Sequence, residues 1–364
     1  MIDKHTWWDI ELKTKPDFEK AMERIYAWYE NEIIDRVPIR FSSHNEQNEH
    51  IVTDKKQHNS YEERWFDAEY QIDLFLSELK NKKFLAETMP VYFPNLGPEV
   101  YSAFYGGEMK YKEVTSYYSP SIKEWDEIAG LKLNRESKFW LKLEELTDLA
   151  LEKCKGLSLV GYTDFHPGLD CAAAWRDPEQ FCLDLLLNPE ESRLLLKYAE
   201  KDFHEIFNYW DQKLKRHNQL SVTWIGLPSF GKFHIAGADF ASMISPEMFE
   251  EFGLPILQNE VKGMDHVVFH LDGKGVARHI DQILTIPEIK AIQWVQGVGD
   301  DEPIMQWVPF IKKIQNAGKG IMVDLKPKEL EGFMNEVDPK GIFLCINAEP
   351  IIQPALISKV QTWT

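Results

Sequence analysis

Long apolar runs are missing from this sequence. Its hydrophobic stretches are strand-sized, far short of the roughly 20 residues that a membrane helix needs, so no membrane partner is expected. Basic charge is also scarce: 41 Lys and Arg face 59 Asp and Glu, for a formal net charge of −18. Nucleic-acid affinity rests on clustered cations, so a nucleic-acid partner is not expected either. Cysteine is sparse, and Cys154, Cys171, Cys182 and Cys345 form no C-x-x-C pair. With no signal-peptide-like apolar region at the N-terminus, the expectation is a reduced, cytoplasmic, soluble protein. No Pro/Gly/Ser-rich linker divides the chain. No G-x-G-x-x-G turn follows an early strand, which argues against the dinucleotide crevice of a doubly wound open sheet.

What is present is enough to build a large core: 364 residues, 44% of them hydrophobic. Short runs rich in β-branched and aromatic residues recur, each followed by a turn and a segment of helical character. Eight such runs, Val37 to Phe41, Met89 to Phe93, Leu157 to Tyr162, Leu220 to Ile225, Val267 to Leu271, Ala291 to Val295, Gly320 to Val323 and Gly341 to Ile346, are the expected strands. Eight strands alternating with helices predict an α/β fold, a single (β/α)8 TIM barrel over residues 1–364, with 1–34 as an N-terminal helical extension. Helix starts are legible at Asp177-Pro178 and Ser245-Pro246, each an N-cap residue followed by proline at the first helical position. The stretch from Asn95 to Gly156 is a long insertion after the second strand, and its aromatic part, Tyr101 to Tyr118, reads as a lid or a subdomain edge.

In such a barrel the site is built at the carboxyl ends of the strands, so the polar residues that close each apolar run are the candidates. They are Arg40 and His44, Asp164 and His166, Trp224, His270 and Asp272, Gln293 and Trp294, Asp324, and Cys345 with Asn347. The richest is His266-Val-Val-Phe-His270-Leu-Asp272-Gly273, where strand alternation puts His270 and Asp272 on one face. Cys345 holds a comparable station near the end of its own run. These three suggest a metal site of mixed His, Asp and Cys donors suited to zinc, with an open position where a bound thiol would be turned into a methyl acceptor. Bland readings compete at each place. A His and an Asp at a strand end also form an ordinary hydrogen-bonded pair, a buried Cys is a small apolar residue, and an Asx-type turn before Pro167-Gly168 explains Asp164 without chemistry. Without a metal, Asp272 held among apolar strands would serve as a general acid and Arg40 as a carboxylate anchor.

The chain resembles the uroporphyrinogen decarboxylase superfamily. The residues that carry the resemblance begin with Asp35-Arg36-Val-Pro38-Ile, Asp164-Phe-His166-Pro-Gly168-Leu-Asp170-Cys, Trp175-Arg176-Asp177-Pro178 and Asp184. They continue through Gly237-Ala-Asp239, Ile244-Ser245-Pro246-Glu247, Phe269-His270-Leu-Asp272-Gly273, Ala291-Ile-Gln293-Trp294 and Ala317-Gly318-Lys319, so the likeness spans roughly Asp35 to Val360. Members of that superfamily are (β/α)8 barrels and include the haem-pathway decarboxylase and zinc-dependent corrinoid methyltransferases. The decarboxylases carry Arg-Gln-Ala-Gly-Arg-Tyr after the first strand, where this chain has Ile39-Arg40-Phe41-Ser42-Ser43-His44, with a single arginine for a polycarboxylate. The methyltransferases bind zinc through a His-x-Cys pair and a distant Cys. Here His270 and Cys345 match two of those positions and Asp272 stands in the third.

The resemblance therefore implies methyl transfer to or from a corrinoid protein or a small thiol acceptor. His270, Asp272 and Cys345 would hold zinc. Arg40, Asp239 and Asp272 form the catalytic set, and Asp164, His166, Trp224, Gln293 and Trp294 contact the cofactor or line the pocket. The alternatives are a metal-free decarboxylase of a carboxylated substrate, anchored by Arg40 with Asp272 or Asp239 as the acid, and a barrel that binds a small molecule without catalysis.

Overall fold

Alternation within short β-branched runs gives this chain its strands, and the computed structural model describes them over residues 10–42, 56–80 and 82–364. In chain order they are β1 (Ile39–Ser42), β2 (Val91–Tyr92), β3 (Glu108–Tyr111), β4 (Ser116–Ser119), β5 (Leu159–Val160), β6 (Phe233–Gly237), β7 (His266–Asp272), β8 (Ile289–Val295), β9 (Gly320–Leu325) and β10 (Ile342–Asn347). Six form a sheet in the order β1-β10-β9-β8-β7-β6, with every neighbouring pair parallel. β2 and β5 make a parallel pair, and β3 and β4 an antiparallel hairpin inside the long segment between them. Single hydrogen bonds reach from one group to the next. Glu87 N donates to Ile39 O at 3.0 Å, Tyr162 N to Val222 O at 3.0 Å, and Phe233 N to Ser221 Oγ at 3.0 Å.

Seven of the eight expected runs contain a parallel strand, and the exception is Leu220 to Ile225. That run is mostly buried and ends in a turn at Trp224 and Ile225, and its one bridge among the described residues is an antiparallel pair, Ser221 with Ser229. The strand is instead Phe233–Gly237, whose pattern is masked in sequence by His234. This imidazole is buried and pairs with Glu260 Oε1 at 2.8 Å, so a polar residue sits where an apolar one was expected.

Alternation also divides the sheet into two faces. Phe269, Leu271, Ile292, Trp294, Val323, Leu344 and Ile346 pack against the surrounding helices. Val268, Ala291, Met322 and Phe343 face the other way, into a core shared with the helix Phe18–Tyr29. That helix covers the amino ends of the strands: Trp28 Nε1 donates to Gly341 O at 2.8 Å, and Tyr29 stacks on His266 with ring centres 4.1 Å apart. Below it, the fully buried Glu87 carboxylate accepts from Arg36 Nη1 and Nη2 (2.7 and 2.8 Å), Ile39 N (2.8 Å) and Arg24 Nη1 (3.2 Å).

The two anticipated helix starts are present. Asp177 accepts from Glu179 N and Gln180 N ahead of Pro178–Leu187, and Ser245 Oγ accepts from Met248 N ahead of Pro246–Met248. The second helix passes through a π turn, Phe249–Gly253, before resuming at Leu254–Glu260. The shift falls just ahead of Pro255, which lacks the N–H that a continuous α ladder requires. No helix among the described residues is long and apolar enough to cross a membrane.

Candidate functional site

The face that is apolar at the amino ends becomes polar at the carboxyl ends. Register places Arg40 beside Cys345, Cys345 beside Asp324, His270 beside Gln293, and Gly237 beside His270. Because alternate residues share a face, one strand contributes both Val268 to the core and His270 and Asp272 to the mouth.

The densest group is Asp239, His270 and Asp272, each of which offers one ligand atom within 4.8 Å of the others. Each gets there by a different local device. His270 is the fifth residue of β7, and its Nδ1 is bonded to Gln293 Oε1, which leaves Nε2 for a ligand. Trp224 meets the imidazole edge-on, ring centres 5.5 Å apart. Asp272 ends the strand just before Gly273, whose φ of +70° turns the chain into the helix Gly273–Ala277. Asp239 opens the 3-10 turn Asp239–Met243 directly after β6, and the turn is pinned by Asp170, whose carboxylate accepts from Asp239 N (3.1 Å) and Phe240 N (2.8 Å). Desolvation, with Asp170 and Asp272 close by, pushes the Asp239 carboxyl above the ordinary carboxylate range, against the pull of His166 and His270. One nitrogen and two carboxylates, open to the mouth, form a donor set suited to a divalent ion.

Beside this group runs a hydrogen-bonded chain. His166 Nε2 contacts Asp164 Oδ2 at 2.9 Å and His166 Nδ1 contacts Asp170 Oδ2 at 3.4 Å. Burial opposes charge on this imidazole, but the two carboxylates outweigh it and hold its pKa well above the usual histidine value. Burial likewise works against ionised Asp164, and His166, Trp224 and His270 overcome it to hold that carboxyl low. The result is an imidazolium clamped between two carboxylates, one of which fixes the turn that carries Asp239.

Cys345 lies at the same end of the sheet but has other company. Arg40 Nε donates to its sulfur at 3.0 Å, and Arg40 Nη1 donates to the Ile225 carbonyl. Burial pushes the thiol up to about 12, with Arg40 pulling it down and Asp324 pushing it up. Burial also raises Asp324, opposed by Arg40.

The pair Gln293 and Trp294 divides. Gln293 faces the mouth, whereas Trp294 is fully buried on the opposite face against Trp307 and Phe310, at 4.9 and 4.7 Å. Adjacent strand residues point to opposite sides, so Trp294 belongs to the helix-packed layer. His44 lies outside the described residues.

Two further residues join the site. Asp170 follows His166 by four positions at the start of the helix Gly168–Arg176, and that His-x-x-x-Asp spacing was the available signal. Glu99, from the insertion after β2, had none. Its Oε2 accepts from Tyr118 N across the hairpin, and burial raises its pKa. Between Glu99 and Asp239 lies a cleft of about 270 Å³.

No family model matches the chain, and no curated protein matches it. Solved structures do: 22 chains match. One is a methyltransferase from Methanosarcina mazei, similar over 97% of this chain and 99% of its own, with a TM-score of 0.62 at 13% identity. At that identity the likeness establishes a shared α/β fold across nearly the whole chain.

Proposed function

We propose that this chain is a methyltransferase built on a closed α/β barrel, with Asp239, His270 and Asp272 holding a catalytic divalent ion, zinc by preference. The observation that carries the reading is the convergence of these three donors within 4.8 Å at the carboxyl ends of parallel strands. The hydrogen bonds linking β1, β2, β5 and β6 through residues 87 and 221–222 support closure. The fold shared with a methyltransferase supports the reaction class.

The donor set fits such an ion. Three protein ligands leave a position open, and Gln293 fixes the imidazole orientation from behind, as partners of metal-bound histidines do. A bound divalent ion would supply Lewis acidity, lowering the pKa of a small thiol so that it reacts as a thiolate. The chain's own residues do the rest. Asp170 holds Asp239 in line with β7, His166 stays charged between its two carboxylates, and Trp224 screens one side of His270. A corrinoid protein is the proposed methyl carrier and a small thiol the acceptor. Cys345 stands outside the ligand set in this reading, because the three donors that converge are Asp239, His270 and Asp272, and its sulfur accepts from Arg40.

The decarboxylase alternative has less in its favour: two of the five N–H donors of Arg40, its proposed carboxylate anchor, are already taken by Cys345 and the Ile225 carbonyl.

Metal content of the protein purified without chelator tests the proposal. About one equivalent of zinc is expected. It should be lost in His270→Ala and retained in Cys345→Ser, with methyl transfer from a methyl-corrinoid to a small thiol following the metal. Metal-free wild-type protein with activity, or full metal retention in His270→Ala, would refute it.

A further inference from the structure

We infer that the outer face of the helix Pro178–Leu187 is the surface through which two copies of this chain pair in solution. The assignment stands apart from the methyl-transfer reading and does not need it.

This helix is apolar on both sides. Its inner face is fully employed: Phe181 and Leu185 are buried, and the Phe181 ring lies 5.0 Å from Phe240 in the turn that carries Asp239. The buried Asp184 accepts from Arg176 Nε (2.6 Å), Gln180 Nε2 (3.0 Å) and Asn188 Nδ2 (2.9 Å). The outer face carries Leu183, Leu186 and Leu187 at the i, i+3, i+4 spacing of one helical stripe, and they are 53%, 68% and 73% exposed. Leu194, on the next helix, Pro189–Glu200, is 45% exposed. A helix whose outer side meets water carries polar residues there, as Val308–Asn316 does with Lys312, Lys313 and Asn316, and one that is apolar all round is a covered helix. No other helix among the described residues exposes more than one large apolar side chain. Single exposed leucines are ordinary, but a contiguous stripe marks an interaction surface.

Charge decides what covers it. With a net charge of −18, the chain repels a second copy over most of its surface. From Leu183 to Lys197 the charged residues that reach the surface are Glu190, Glu191, Arg193 and Lys197, two of each sign. A strongly basic partner would find no excess of carboxylates there, and an acidic one no excess of cations. A two-fold pair sets the patch against itself, which asks for both signs on one rim, so that acidic groups of one copy face basic groups of the other. Size agrees. The four leucines leave on the order of 400 Å² of apolar surface open. That is roughly half of the ~800 Å² that each partner contributes to a standard interface, enough to form the apolar centre of a homodimer contact.

Sedimentation velocity of the full-length protein from about 1 to 100 μM tests the assignment. A species of twice the mass of one chain is expected, held or tightened in about 0.5 M salt, which screens the repulsion between two acidic copies. Leu186→Lys combined with Leu187→Lys sets like charges of the two copies against each other and should weaken the pair by about a hundredfold or more, with an unchanged circular dichroism spectrum. Because lysine lowers the net negative charge, such a loss is not the result of greater overall repulsion. Leu186→Gln combined with Leu187→Gln, neutral and compatible with a helix, should weaken the pair by about tenfold and keeps the test open if the lysines disturb the fold. Leu141→Lys, at an exposed leucine on the helix Lys138–Lys153, should leave pairing as it is. A parent protein that stays monomeric at about 100 μM overturns the inference and leaves the leucines to a different partner. Pairing that survives both double substitutions, that is lost in Leu141→Lys instead, or that dissolves in salt as a contact held by charge would, overturns it as well.

Discussion

His266 and His270 sit four residues apart on one strand and share its inward face, yet they do opposite things. His266, at the amino end, is buried: Tyr29 stacks on it, Tyr26 meets it edge-on, and Ser229 Oγ bonds its Nδ1 at 2.8 Å. Burial pushes its pKa down to about 4, so it is a neutral part of the core. His270, at the carboxyl end, is partly open, with Nδ1 held by Gln293 and two carboxylates within 4.8 Å of a ring nitrogen. The carboxylates repeat the contrast. Glu87 at the amino end is saturated by two arginines and a backbone N–H, whereas Asp239 and Asp272 keep oxygens open. Buried charge at one end serves stability, and under-satisfied charge at the other is available for chemistry.

The largest test of this contrast is Glu87→Ala. It strands Arg36 and Arg24 in the interior and should cost roughly 3–5 kcal/mol in a denaturant titration. A loss below about 1 kcal/mol would show that water reaches the network and that the two ends are alike.

Next comes the pH dependence of His266. Its folded pKa, about 4, lies below the 6.5 of an unperturbed imidazole, so the unfolded chain binds the extra proton between those values. The stabilisation is complete above about pH 6.5 and is lost as pH falls toward 4, on the order of 3 kcal/mol in all. Comparing unfolding free energies of wild type and His266→Gln across that window should give curves that converge toward its acid end. His166 carries the reverse sign. With its folded pKa raised, its contribution is complete below pH 6.5 and fades as pH rises through the folded value.

A smaller effect is expected behind the proposed metal. Gln293→Leu removes the acceptor for His270 Nδ1 and should weaken zinc affinity by roughly 10–100-fold in competition with a chelating dye. Unchanged affinity would remove Gln293 from the site. Smallest of all is the stability effect of Asp239→Asn in chelator, within about 0.5 kcal/mol of wild type. The ionised carboxylate is disfavoured by its surroundings, so replacing it with a neutral amide gives up no stabilising interaction. A large loss there would mean that the mouth is as structural as the amino end.

Much of this was readable one element at a time. Asp177-Pro178 and Ser245-Pro246 announced helices because an N-cap and a following proline act through bonds within one turn. The β6 strand was not legible, because His234 breaks the apolar pattern and its partner, Glu260, lies 26 residues away. Gln293 and Trp294 are neighbours in sequence, but the strand turns them to opposite faces. Asp170 is legible as part of a motif but not by its role, since only the folded chain brings it to the backbone N–H groups of Asp239 and Phe240.

The sequence by itself determined that His270 and Asp272 point the same way, because the two-residue period of a strand is a local property of the backbone. It also placed Cys345 and Arg40 near strand ends. Which carboxylate joins His270, and which residues keep company with the thiol, only the tertiary structure decided. Asp239 reaches the group because β6 lies beside β7 and Asp170 fixes the turn that follows it, while Cys345 is drawn to Arg40 by the pairing of β10 with β1. Side-chain direction is set over two residues, but proximity between strands is set by packing across the whole sheet.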